Sequence, residues 1–212
     1  MRRSLLGICC IFVLGVTAAE ASASEADAWA ALARGGMVII MRHASAPGPQ
    51  QGREGDPPGF RLDDCSTQRN LSSFGRMQAV ELGNRLRTHQ IVVTRIMTSP
   101  WCRAKDTAEL MNLGPTPVVS NLLHNIGEHS GGAGAVNEHM PGVKTVVAQV
   151  HGIIQRWQGP GNLLMVSHGR TVQAVLYGDG RPSPEQAAMF VLQPLPGSNA
   201  PFREVGSIAP PQ

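Results

Sequence analysis

The chain has 212 residues, 42% of them hydrophobic and 16% charged, with 18 Lys and Arg against 15 Asp and Glu and a net charge of +3. This balance excludes wholesale disorder, and without a basic cluster no nucleic-acid partner is expected. The length suits one domain with a sizeable core better than two, once any leader is removed.

The N-terminus departs from that average. Arg2 and Arg3 precede an apolar run from Leu5 to Val16, and small residues follow at Ala19, Ala21 and Ala23. A charged start, a short apolar run and an A-x-A pattern read as a secretory signal peptide over residues 1–23, so the mature protein is expected to begin at Ser22 or Ser24 and to be periplasmic or secreted. A buried N-terminal helix is the plainer alternative. The residues after the paired arginines do not extend a twin-arginine motif, which favours general secretion. The lipoprotein alternative is discounted because Cys9 and Cys10 fall inside the apolar run instead of at its end. The run is too short to span a bilayer, so no stable membrane span is expected in the mature chain. Cleavage would leave Cys65 and Cys102 as the mature cysteines, and two cysteines in an exported chain read as one disulfide. Two thiols are too few for a closed zinc site, and histidines at the spacing of a mixed site are lacking.

From there the elements follow in order. Glu25 to Arg34 reads as a helix stopped by Gly35-Gly36. Met37 to Met41 is an unbroken apolar run, the pattern of a strand buried on both faces, and it ends in Arg42-His43. Residues 45–64 hold Pro47, Pro49, Pro57 and Pro58 among four glycines and read as a long irregular loop, which in a compact domain is commonly functional. Ser72 or Ser73 caps a helix to about Thr88, and Ile91 to Thr98 is a second strand. Ser99-Pro100 opens a helix with proline in its first turn, carrying Arg103 and ending near Gly114. A short strand at Pro117 to Val119, a long loop to Gly142 and an amphipathic helix from Val143 to Trp157 come next. Asn162 to Ser167 is another buried run, ending in His168-Gly169. A helix over Thr171 to Tyr177, a strand over Ala188 to Leu192 and a proline-rich edge and tail from about 194 complete the chain. Strands alternating with helices predict an α/β class, a three-layer α/β/α sandwich around a mainly parallel sheet, with residues 24–212 as a single domain.

Three of these elements end in chemically loaded residues, and in a parallel sheet such ends share one edge, so Arg42, His43, Arg103 and His168 are expected to converge. Two guanidinium forks match phosphate oxygens, and a neutral imidazole between them is a competent nucleophile towards phosphorus. Chain direction also brings Cys65 and Cys102 to that edge, where a bridge would tie the long first loop to Arg103.

With Arg42-His43, the stretch Leu71 to Ala79, Ser99-Pro100-Trp101-Cys102-Arg103-Ala104 with Thr107-Ala108, and Ser167-His168-Gly169, the chain resembles the histidine phosphatase superfamily, over residues 37 to 177. The resemblance implies transient phosphorylation of His43, phosphoryl oxygens held by Arg42, Arg103 and His168, release of phosphate by water, and no metal or organic cofactor. Two departures stand out. Ala44 follows the histidine where the family often has glycine. Asn125, in Leu123-His124-Asn125, stands where the family commonly has its glutamate, so the leaving-group acid is sought at Glu128, with Asp63 or Asp64 as alternatives. The resulting expectation is an exported phosphomonoesterase acting on a small-molecule or envelope phosphomonoester. The alternative is a non-catalytic phosphoryl-binding or envelope-interaction protein on the same fold.

Overall fold

The computed structural model describes residues 24–47, 56–126, 142–178 and 181–212. Residues 1–23, where the signal peptide is expected, and Glu128 lie outside these residues. Helices α1 (Glu25–Arg34), α2 (Ser73–Thr88), α3 (Cys102–Leu110), α4 (Val143–Gln155) and α5 (Gly169–Tyr177) accompany strands β1 (Val38–Arg42), β2 (Val93–Thr98), β3 (Val118–Val119), β4 (Asn162–Ser167), β5 (Met189–Pro194) and β6 (Phe202–Ile208). The strands form one mostly parallel sheet in the order β3-β2-β4-β1-β5-β6. β1 and β2 each pair in parallel with β4, β3 extends the parallel part beside β2, and β5 and β6 are added antiparallel.

The uninterrupted apolar runs follow from helices on both faces of the sheet. Ile39 and Met41 of β1 pack with α1, α2 and α3, through Leu32, Leu82 and Ala104, whereas Val38 and Ile40 turn to the other face against Val146 and Val150 of α4 and Val172 of α5. Each of these fully buried aliphatic side chains contributes about 1.5–3 kcal/mol by leaving water. This is the three-layer arrangement expected from the sequence.

Local chemistry sets the element ends. Ser24 caps α1 through a reciprocal box with Asp27, and the helix stops at Gly35, whose φ of 75° favours glycine. Ser72 is the N-cap of α2 and accepts from Gly75 N. Two boundaries differ from expectation. Trp101, not the serine before Pro100, is the N-cap of α3, so the proline precedes the helix instead of entering its first turn. The proline-rich end contains a seven-residue strand, β6, which forms the sheet edge beside β5.

Register places the chemistry. Arg42 is paired with Ser167, and Thr98 with Val166, so the chain leaves three adjacent strands at one level with His43, Ser99 and His168 as the next residues.

Candidate active site

His43 and His168 come off neighbouring strands and are nearly fully buried, their ring centroids 5.3 Å apart and edge-on. The Nδ1 of His43 lies 2.8 Å from the carbonyl oxygen of Ala44, an acceptor only, so we assign the ring proton to Nδ1. That leaves Nε2 with its lone pair free to accept from Arg103 Nε at 3.2 Å. His168 is the N-cap of α5, and its Nε2 sits 2.7 Å from the hydroxyl of Ser99. Ser99 Oγ already accepts from Trp101 N, so its own proton is assigned to His168 Nε2. The Nδ1–H of His168 is then a buried donor without a partner among the described residues.

Both imidazoles titrate well below the usual histidine range, first because burial disfavours the charged ring and next because Arg103 stands beside each. They are therefore neutral at physiological pH, while the surrounding guanidiniums stay protonated. Arg42, at the end of β1, donates from one terminal nitrogen to Pro184 O at 2.8 Å, and its buried Nε has no partner among the described residues. Arg103 occupies the first turn of α3 with its side chain fully buried. A third guanidinium, that of Arg69, is close enough to act electrostatically on Arg42, His43 and His168. The N-termini of α3 and α5 both open towards this cluster and add the positive ends of their dipoles.

The loop after β1 is pinned by α2. Ser45 N donates to Gln78 Oε1 at 3.1 Å, and Ser72 N donates to Ser45 O at 3.0 Å. A methyl group on Gly75 would lie 1.9 Å from Ser45 O, so only glycine permits this approach. Thr107 completes the support, its hydroxyl donating to Arg103 O at 2.7 Å and accepting from Ala44 N at 3.0 Å. Two neutral imidazoles, three guanidiniums and two helix N-termini gather here, an arrangement complementary in charge to a tetrahedral oxyanion.

The sequence profile described as "Histidine phosphatase superfamily (branch 1)" matches residues 38–132. Over that stretch the chain is similar to the histidine phosphatase superfamily. A comparison with curated proteins finds no match. Solved structures share the fold: the protein histidine phosphatase SixA complexed with tungstate is 19% identical over 82% of this chain and 96% of that one, with a TM-score of 0.53. A mycobacterial glucosyl-3-phosphoglycerate phosphatase in complex with VO3 is 19% identical over 79% and 96%, TM-score 0.53. A phosphoserine phosphatase from Entamoeba histolytica, in complex with 3-phosphoglyceric acid, is 14% identical over 74% and 89%, TM-score 0.51.

Arg42, His43, Arg103 and His168 gather at one edge of the sheet. Cys65 and Cys102 are joined, with Cα atoms 5.7 Å apart, at the start of α3. Asp63 is exposed and paired with Arg61 at 2.7 Å, and Asp64 accepts from the backbone and hydroxyl of Ser66 at the 3-10 turn Cys65–Thr67. These contacts hold both carboxyls below their usual range, the opposite of what a proton donor needs.

Sequence reasoning missed Asp56, Gln68, Arg69 and Ser99. Asp56 reaches back from the long loop to Arg103, and Gln68 Oε1 accepts from Cys102 N at 2.9 Å. Arg69 lies two residues before Leu71, where the motif read from sequence began, and Ser99 was read as a helix start when its hydroxyl serves His168. Only nearness in sequence to the motifs could have drawn attention to Gln68, Arg69 and Ser99, and Asp56 lacks even that.

Proposed function

We propose that this protein is an exported phosphomonoesterase that works through a phosphohistidine on His43. The observation that carries the reading is the orientation of His43. Its proton is fixed on Nδ1 by Ala44 O, its Nε2 lone pair faces the cationic pocket, and burial keeps the ring neutral. Nε2 attacks phosphorus in line, a P–N bond forms as the P–O bond to the alcohol breaks, and the electron pair leaves on the ester oxygen. Arg42, Arg103 and the Nδ1–H of His168 hold the equatorial oxygens where charge accumulates. A proton must reach the departing oxygen, and Glu128 is the proposed donor. Water then attacks the phosphoryl group from the side the alcohol has left, returning His43 Nε2 and releasing phosphate.

The charge balance supports a monoester. Arg42, Arg69 and Arg103 against the carboxylate of Asp56, with neutral imidazoles, leave a local excess of two positive charges, which matches the dianion of a phosphomonoester better than a diester's single charge. The oxyanions tungstate and VO3 in the related structures fit the same reading. Export rests on the leader pattern in the sequence and on the Cys65–Cys102 bridge, which an oxidising compartment would keep closed. Among the described residues no helix is long and apolar enough to cross a membrane.

The test is turnover of p-nitrophenyl phosphate together with trapping of an acid-labile phosphoryl label. Wild type should hydrolyse the ester and take up label, and His43→Ala should do neither. Oxyanion binding without turnover would favour the non-catalytic phosphoryl-binding alternative. Retention of label by His43→Ala with loss in His168→Ala would reverse the two roles.

A further inference from the structure

The carboxylate of Asp56 is fully buried although it comes from an irregular proline-rich loop. Its two oxygens are occupied evenly. Oδ1 accepts from Arg69 N at 2.6 Å and from an Arg103 terminal nitrogen at 2.9 Å, while Oδ2 accepts from the same nitrogen at 2.8 Å and from Trp101 Nε1 at 3.2 Å. The carboxylate thus has both oxygens engaged by donors of the protein itself. What it can do is fix a cation.

Arg103 has two working edges. The terminal nitrogen on Asp56 also lies 3.4 Å from Arg69 O, and Nε faces His43 Nε2. A planar guanidinium gripped at one corner by both oxygens of a carboxylate cannot rotate at the other without breaking those bonds. We propose that Asp56 is a positioning residue, holding the Arg103 guanidinium in register with His43 so that phosphoryl oxygens meet a preset donor. The inference rests on the phosphatase reading and adds a residue to it. It also gives the first loop a role: Asp56, Phe60, Cys65, Gln68 and Arg69 all bear on the Trp101-Cys102-Arg103 corner. Because a neutral replacement also raises the positive charge of the pocket, a purely electrostatic role and a positioning role predict opposite changes in oxyanion affinity.

The experiment compares the full oxidised protein with Asp56→Asn, using p-nitrophenyl phosphate turnover and inhibition by orthovanadate. Positioning predicts that kcat falls roughly 30-fold and that the vanadate inhibition constant rises roughly 10-fold, since preset donors count for more in the transition state than in the ground state. A lower inhibition constant would overturn the proposal in favour of charge offset, and unchanged kinetics would overturn it outright. The same substitution in an Arg103→Ala background should change vanadate protection against thermal unfolding less than about twofold, because the group through which Asp56 acts is gone. An undiminished effect there would mean that Asp56 acts by another route. If Arg103→Ala does not fold, Asp56→Glu serves instead: the retained carboxylate should recover part of the affinity lost in Asp56→Asn, and no recovery would count against positioning. Failure of the phosphatase reading is separate, since the native protein would then show no turnover at all.

Discussion

His43 and His168 share a protonation state for the same reason, burial beside Arg103, and this has a consequence for stability. In the unfolded chain both titrate near the ordinary histidine value of about 6.5, whereas in the folded chain both titrate well below it. Above about pH 6.5 neither state binds the protons and the histidines leave stability unchanged; below it the unfolded chain gains protons that the folded chain refuses, so stability falls by up to about 1.4 kcal/mol per pH unit for each ring until the folded values are reached. Chemical denaturation between pH 7 and 5 should record that slope, and His43→Asn should reduce it. An unchanged slope would contradict neutral burial of His43. For the leaving-group proton, Glu128→Gln should slow unactivated alkyl phosphates by roughly 10²-fold while sparing activated aryl esters. Equal losses on both would mark a binding role. At this scale the proposed nucleophile and phosphate ligands could be nominated from sequence because each ends or directly follows a buried strand or opens a helix. Asp56 could not: it reaches Arg103 only through the tertiary course of a loop with no periodic pattern, and an Asp before two prolines has the same local signature whether it is exposed or buried.

Helix α2 shows what a motif does between elements. Gly75 allows the helix to touch the carbonyl of Ser45, Gln78 fixes the same residue's N–H, and Gly83 repeats the device on α3, where an added methyl would lie 2.0 Å from Met111 O. The helix is thus seated against the peptide two residues beyond His43. Gly75→Ala should cost about 1–3 kcal/mol as the two backbones are forced apart, seen as a lower denaturation midpoint, and turnover should fall because the displaced segment carries the carbonyl that orients His43. A variant as stable and as active as wild type would show that the contact is dispensable. The buried strands were legible because helices on both faces demand unbroken apolar runs. Strand β6 was obscured by Pro194, Pro196 and Pro201 around it, residues that can flank an edge strand since no ladder continues beyond them.

Across the whole molecule, the Cys65–Cys102 bridge spans 37 positions and joins the first loop to the helix that carries Arg103. In the chain-entropy account such a closure is worth about 4 kcal/mol. Reduction should lower the melting temperature and also raise the Michaelis constant, as the loop carrying Asp56 loosens; two reactive thiols in unfolded, unreduced protein would reject the bridge, and unaltered kinetics after verified reduction would reject its link to Arg103. The sheet itself ends differently on its two sides. Strand β3 has only two residues, too short to template another strand. Strand β6 has seven and could recruit one, but Arg203 reaches across to Gln193, Glu204 is turned against the Tyr177 hydroxyl, and the pairing shifts register between Val191 and Leu192. Charge and irregularity of this kind discourage edge-to-edge growth. The outer rim of the sheet thus disfavours edge-to-edge pairing, and replacing Arg203 and Glu204 with β-branched residues should increase the share of oligomers and aggregates as concentration rises, read by light scattering against the wild type.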